Sequence, residues 1–218
     1  TCQELQARGA QVVAVSRDPI KFGSSIDGIR LAAVDARDSR AVNTFFQGEG
    51  KIDILISSAT GGSRASGSFL EMDINGFKGS FDKLWGYANV VRYGALKLRN
   101  NGCIILVSGT PARKMKPGQI ALSAVGGAVE AFARAIAPEI APKRINVVAP
   151  GIVDTPMVAL TGEDRAAHYR EVTKSHLIKR PGKPEEIAKM ATFLSSNACT
   201  YVFGSSIYMD GGQRRGTP

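Results

Sequence analysis

The chain has 218 residues, 44% of them hydrophobic, and a net charge of +9. That length suits one domain, residues 1–218, with a core needing neither disulfides nor metals, and the composition excludes a disordered or collagen-like chain. The basic residues are dispersed and not interleaved with aromatics, so the charge reads as a solvated surface favouring anionic ligands, with no nucleic-acid partner. No apolar run is expected to span a membrane. The three scattered cysteines, Cys2, Cys103 and Cys199, lack metal-ligand spacing and fit reduced thiols in a cytoplasm.

Residues 1–8 read as the end of a helix, closed by Gly9 where a left-handed residue is needed. Residues 11–16 (QVVAVS) form a short buried strand, and a second strand spans about 30–35. A helix follows from Ser39, whose hydroxyl is a candidate N-cap. Residues 52–57 are a third strand, 75–98 a long helix, 103–108 a strand, 119–137 another long helix and 144–149 a strand. A helix from Pro184 and a strand near 206–209 complete the order. Apolar strands alternating with helices predict right-handed crossovers and a doubly wound α/β sheet with helices on both faces. Residues 156–183 have no clear element beyond a short helical signal at 162–175. They read as a substrate lid or, equally, a surface excursion.

Four stretches resemble the short-chain dehydrogenase/reductase family over essentially the whole chain. They are Pro150-Gly151-Ile152-Val153-Asp154-Thr155, Pro184-Glu185-Glu186-Ile187-Ala188, Met209-Asp210-Gly211-Gly212, and the strand entry Ala141-Pro142-Lys143-Arg144-Ile145-Asn146. Each is weak alone, and their order and spacing make them strong together. The resemblance implies a Rossmann-type fold that starts with a strand and a glycine-rich phosphate turn. Against that pattern Thr1 already lies in the helix after the turn, so the sequence is expected to lack its first strand and turn. The loss would leave a slot in the sheet.

The first visible strand ends at Ser16-Arg17. A basic residue there accommodates a 2′-phosphate, whereas an acid would bind the ribose hydroxyl, so NADP(H) is favoured over NAD(H). The alternative is a solvent arginine in a tight turn. On the resemblance, Asp35 and Ala36 touch adenine. Ser58, Ala59 and Thr60 replace most of an Asn-Asn-Ala-Gly stretch beside the cofactor, and Pro150, Gly151, Ile152 and Thr155 meet the nicotinamide amide.

The family's usual chemistry uses a tyrosine as general acid or base, a lysine one helical turn on, a serine and an asparagine. Threading back from Pro150-Gly151 places Gly109 at the serine, Leu122 at the tyrosine and Gly126 at the lysine. None of these side chains carries a usable proton. The asparagine position falls on Lys83, a candidate catalytic residue or an ordinary surface lysine. Ser108 and Thr110 flank Gly109, and Ser108 is the second catalytic candidate. The one Tyr-x-x-x-Lys match, Tyr93 to Lys97, lies on the preceding helix and reads as coincidence. Gly126 and Gly127 each cost a helix about 1 kcal/mol against alanine, which suggests close packing or, less often, a ligand's approach. Leu122 and Gly126 are expected to line an apolar pocket. His168 and His176 read as surface residues of the lid. The basic loop Arg113-Lys114-Met115-Lys116 is expected to attract an acyl carrier, coenzyme A or a carboxylate, or simply to aid solubility.

These features predict an NADP(H)-dependent oxidoreductase with an atypical site, acting on a carbonyl or alcohol of a small molecule that is anionic or linked to an acyl carrier. The alternatives are a non-redox isomerase or cyclase, or a catalytically silent nucleotide-binding module or partner subunit. No metal site is expected. The apolar spread around residues 119–137, with the family resemblance, predicts a homodimer or homotetramer.

Overall fold

The computed structural model describes residues 1–19, 28–59 and 65–215. Helix α1 (Cys2–Gln6) ends as its sequence requires, with Gly9 at φ +84° and the Ala10 N–H folded back on the Leu5 carbonyl at 3.1 Å. Strands β1 (Val12–Ser16) and β2 (Ile29–Ala33) pair in parallel, from Val12 opposite Ile29 to Ser16 opposite Ala33. Strands β3 (Ile52–Ser57), β4 (Leu98–Val107), β5 (Arg144–Pro150) and β6 (Ser206–Met209) form a second parallel sheet in that order. Among the described residues no ladder joins the two sheets.

Helix α2 (Ser39–Gly48) is capped by Asp38 and not by Ser39, because the carboxylate of Asp38 accepts the N–H groups of Arg40 and Ala41 at 2.9 and 3.0 Å. The long helix expected over 75–98 is two helices, α3 (Ile74–Ser80) and α4 (Asp82–Gly94), meeting at Phe81. The Ser80 hydroxyl donates to the Gly76 carbonyl and accepts the Ala65 N–H, both at 3.0 Å, which anchors the end of α3 to the preceding loop. Strand β4 begins five residues earlier than expected. Leu98 pairs with Ile52, and the register then shifts so that Cys103 pairs with Ile54.

Helix α5 (Ile120–Ile140) runs through Pro138 and past its expected end. By length and composition it would suffice to cross a membrane, contrary to the sequence expectation. Its inner face, however, belongs to the protein core. Along β4, Ile104 and Leu106 pack with Tyr87 and Val91 of α4 and Val129 and Ala133 of α5. The alternate residues Cys103 and Ile105 pack with Ala191 and Leu194 of α7 (Pro184–Ser195). The two-residue period of a strand thus sends successive side chains to opposite helix layers. This is the expected doubly wound α/β arrangement. Proline opens α7, and the Lys183 N–H donates to the Glu186 carboxylate at 2.7 Å.

The helical signal at 162–175 is helix α6 (Gly162–Thr173). His168 packs its ring beside Tyr169. His176 does not decorate the surface: it is 4% exposed. Burial pushes its imidazole below the usual range, with Asp210 opposing and Lys116 and Lys114 reinforcing the shift. The folded protein therefore favours neutral His176, and as pH falls below 6.5 the unfolded chain takes up this proton first. Between about pH 7.5 and about pH 5, urea midpoints should fall more steeply for the unaltered protein than for His176→Gln. Parallel pH profiles would show that His176 does not contribute.

Candidate functional site

Ionic and polar contacts fix the start of α4 against the end of β2. Arg37 holds both oxygens of Asp35, with a closest contact of 2.7 Å, and reaches Asp82 at 3.3 Å. The guanidinium hydrogen bonds carry the Asp35 carboxyl down to about 2, more than offsetting partial burial. Two turns further on, Asn89 donates to the carbonyls of Ala36 and Arg37 at 3.0 and 3.2 Å. A β-carbon at Gly86 would lie 3.4 Å from that of Ala36. Helix α4 is thus placed so that its first turn reaches the C-terminal end of β4. There Lys83 Nζ lies 3.5 Å from the Ser108 carbonyl oxygen, the long end of a hydrogen bond, and 5.6 Å from the centre of the Tyr87 ring. The buried Tyr87 donates its hydroxyl to the Val107 carbonyl at 3.0 Å. Two residues one helical turn apart therefore meet the two carbonyls that end the strand.

The Ser108 hydroxyl points the other way. It donates to the Gly126 carbonyl at 3.0 Å and lies 3.4 Å from Glu130 Oε1, so what Ser108 presents toward Lys83 is its backbone oxygen. Thr110 is also buried, and it donates to the Pro150 carbonyl at 3.1 Å, tying the ends of β4 and β5. Gly109 is extended, and a β-carbon there would meet nothing closer than 3.5 Å. Gly126 is enclosed by protein: its β-carbon would stand 3.0 Å from that of Ala112 and 3.2 Å from Ser108 Oγ. Close packing, the commoner of the two readings, accounts for this glycine, and Gly126 lines no open pocket beside Leu122. Gly127 has nothing within 4 Å.

Behind Gly126 lies a network that sequence reasoning missed. Glu130 is 0% exposed. It receives Arg113 at 3.0 Å and the Tyr208 hydroxyl at its other oxygen, while Arg113 Nε also donates to the Tyr208 oxygen at 3.1 Å. Burial first, and then Glu130, raise the Tyr208 pKa, so this phenol remains a donor. The signal available was one acid in an alanine- and valine-rich helix. Its partners were invisible because they lie 17 and 78 residues away.

The remaining predicted site residues are distributed along the C-terminal ends of the strands. The Ser16 hydroxyl accepts the Asp18 N–H at 3.1 Å, and Arg17 is exposed at the end of β1. Ser58 and Ala59 follow β3 and are exposed, while Thr60 and the stretch 61–64 lie outside the described residues. After β5, the Gly151 N–H donates to the Met209 carbonyl at 3.0 Å, and a β-carbon at Gly151 would strike Asp210 Cα at 2.8 Å. The Ile152 carbonyl accepts the Gly182 N–H at 2.9 Å. Arg165 of α6 gathers the Asp154 carboxylate, the carbonyls of Thr155, Val158 and Leu160, and the Tyr169 hydroxyl. In the basic loop, Arg113 is engaged by Glu130, and Lys114 donates to the Gln213 carbonyl at 2.8 Å. The Tyr93 to Lys97 pair is structural: Tyr93 bonds Ser39, and Lys97 bonds the carbonyls of Gln47 and Glu49.

A family model described as Enoyl-(Acyl carrier protein) reductase matches residues 1–214. The chain belongs to the short-chain dehydrogenase/reductase family. Short-chain reductase protein NovJ of Streptomyces niveus is 26% identical over 245 residues, covering 98% of this chain and 88% of the relative. Carbonyl reductase [NADPH] 2 of Sus scrofa is 28% identical, covering 97% and 89%. Among solved structures, a small-chain dehydrogenase in complex with NADPH superposes with a TM-score of 0.80 at 26% identity, covering 94% of this chain and 98% of the other. A short-chain dehydrogenase/reductase of Brucella melitensis, titled glucose/ribitol dehydrogenase, superposes with a TM-score of 0.85 at 27% identity, covering 97% and 89%. The protein is thus an oxidoreductase of the short-chain type.

The two adjacent glycines of α5 should respond differently to alanine. Gly127→Ala adds a methyl group into open space and should raise stability by about 1 kcal/mol in urea unfolding, whereas Gly126→Ala should give no gain because of Ala112 and Ser108. Equal gains at both positions would contradict the packing described for Gly126.

Proposed function

We propose that the protein is an NADP(H)-dependent oxidoreductase acting on a carbonyl or alcohol of a small molecule, with Lys83 carrying the transferred proton where most of the family uses tyrosine. The observation that carries this reading is the ammonium of Lys83 at the Ser108 carbonyl, beside Gly109 and at the strand end where open α/β sheets bind ligands. The nicotinamide cofactor, when bound, supplies or accepts the hydride. On this reading Arg17 takes the 2′-phosphate with Ser16 at the turn, and Asp35 and Ala36 border adenine. The small residues Ser58, Ala59 and Thr60 flank the cofactor, and Pro150, Gly151, Ile152 and Thr155 hold the amide end. The exposed, small side chains at Ser58 and Ala59 and the free space at Gly109 support room for a flat ligand along this edge. The enclosed Gly126 argues that the ribose is held without the usual lysine.

Lys83 keeps its proton on Nζ, steered by the Ser108 carbonyl and the face of Tyr87, and delivers it to an oxygen gaining negative charge, then recovers one from water. Ser108 contributes position through its backbone, while its hydroxyl locks α5 to β4. The segment 156–183 acts as the lid in this scheme. The carbonyl reductase and dehydrogenase names of the relatives support the reaction class, and a cytoplasmic setting accords with the free cysteines Cys2, Cys103 and Cys199. The alternative of a silent binding module draws on one observation: neither Ser108 Oγ nor a side chain at Gly126 is free to do chemistry.

NADPH should bind more tightly than NADH, and Arg17→Glu should erase the difference in fluorescence titrations. Equal affinities in the unaltered protein would refute the 2′-phosphate assignment. NADPH oxidation against a panel of aldehydes and ketones should show turnover that Lys83→Met lowers by about 10² to 10⁴, the range for loss of a general acid. NADPH affinity in that variant should stay within about 1 kcal/mol. Full activity in Lys83→Met would exclude the assignment, and binding without any turnover would favour the silent module. Light scattering at micromolar concentration should report a dimer or tetramer, assembled through the outer faces of α4 and α5, where Trp85 and Ile120 are exposed. A monomer mass would contradict it.

A further inference from the structure

The edge at which β1 and β2 end carries Asp18, Asp35 and Asp38 against Arg17, Arg37 and Arg40, and Asp82 of the facing α4 adds a fourth acid. An anionic group arriving there meets more negative than positive charge unless the acids are covered. Asp38 spends an oxygen on the first amides of α2, where the positive end of a helix favours a carboxylate. Asp35 and Asp82 are covered together by one side chain. Arg37 binds both oxygens of Asp35 through Nε and Nη2, with a closest contact of 2.7 Å, and its Nη1 reaches Asp82 Oδ2 at 3.3 Å. The three side chains are 31% to 38% exposed, so a ligand at this edge feels their charges without any rearrangement.

Asp35 keeps its negative charge throughout the neutral range. The hydrogen bonds from Arg37 hold its carboxyl at about 2, and the charge of Arg17 is among the smaller contributions that lower it. The Arg17 and Asp35 charges therefore act on each other, and an anion bound by Arg17 also lies in the field of Asp35. A 2′-phosphate carries roughly two negative charges at neutral pH, whereas the ribose hydroxyl in its place in NADH carries none. An uncovered carboxylate here would oppose the phosphate and leave the hydroxyl almost unaffected.

We propose that Arg37 is a specificity-determining residue for the 2′-phosphate: it neutralises Asp35 and Asp82, so that Arg17 meets the phosphate unopposed. This rests on the NADP(H) reading above and extends it to a residue that acts through two carboxylates and not by contact. The test is the ratio of the NADH to the NADPH dissociation constant for the full chain, measured by fluorescence titration. Adenine, pyrophosphate and nicotinamide are common to both cofactors, so damage to their sites cancels in the ratio and the 2′-phosphate remains. Arg37→Gln should lower the ratio about fivefold, the upper end for one exposed ion pair. Arg37→Lys, which keeps the charge and loses the planar fork, should stay within about twofold of the unaltered protein. Adding Asp35→Asn to Arg37→Gln should recover most of the loss. In about 1 M salt, where the Debye length is about 3 Å, the difference between Arg37→Gln and the unaltered protein should disappear. Asp35→Asn alone removes an acid and no cation, so it should raise the ratio, and it decides the matter if Arg37→Gln does not fold. An unchanged ratio in Arg37→Gln, a loss that persists at high salt, or no rise in Asp35→Asn would overturn the proposal. A preference erased by Arg17→Glu beside an unchanged ratio in Arg37→Gln would reject Arg37 alone. Equal affinities, or binding of neither cofactor, in the unaltered protein would reject the roles of both arginines.

Discussion

A carboxylate removed from water organises the centre of this molecule. Glu130 cannot be buried alone, because leaving a charge unpaired in a protein interior costs several kcal/mol. Its partners come from the loop after β4 and from β6, so one charge ties α5 to both. Ser108, at the end of β4, completes the cluster by bonding the Gly126 carbonyl. That bond demands close approach of helix and strand, and a glycine at 126 permits it. A glycine at 126 is thus a packing requirement of the same cluster.

The other neighbour of β4, helix α4, covers the C-terminal end of that strand. Strand ends carry carbonyls without ladder partners, and such groups require donors. Helix α4 brings two of them, Lys83 and Tyr87, to successive carbonyls, and it is held in register by the Asp35, Arg37 and Asp82 chain and by Asn89. The Lys83 side chain meets a backbone carbonyl and an aromatic face there.

The strands were legible in the sequence because each is a short apolar run bounded by turn residues, and the four family-like stretches located their order. The break at Phe81 was not, since it depends on Ser80 meeting Ala65 from another loop. Asp38 and Ser39 are both good capping residues, and only the backbone decides between neighbours. The family threading singles out Lys83, whereas nothing in the local sequence marks Tyr87 or Tyr208, whose partners are distant in the chain. The burial of His176 is not legible, because a polar stretch gives no hint that one of its members is covered by the turn at Asp210 and Gly211.

Arg165 couples the motions of the segments that it joins. One guanidinium holds oxygens from Asp154, Thr155, Val158, Leu160 and Tyr169, so the turn after β5 and the first half of α6 share a single fastener. Such a segment cannot fray residue by residue. Any displacement of it must proceed as a block about the paired backbone of Val153 and Gly182, with backbone amides from Thr155 to Tyr169 exposed to hydrogen exchange together rather than in sequence. The threshold for opening this stretch is therefore set largely by one side chain.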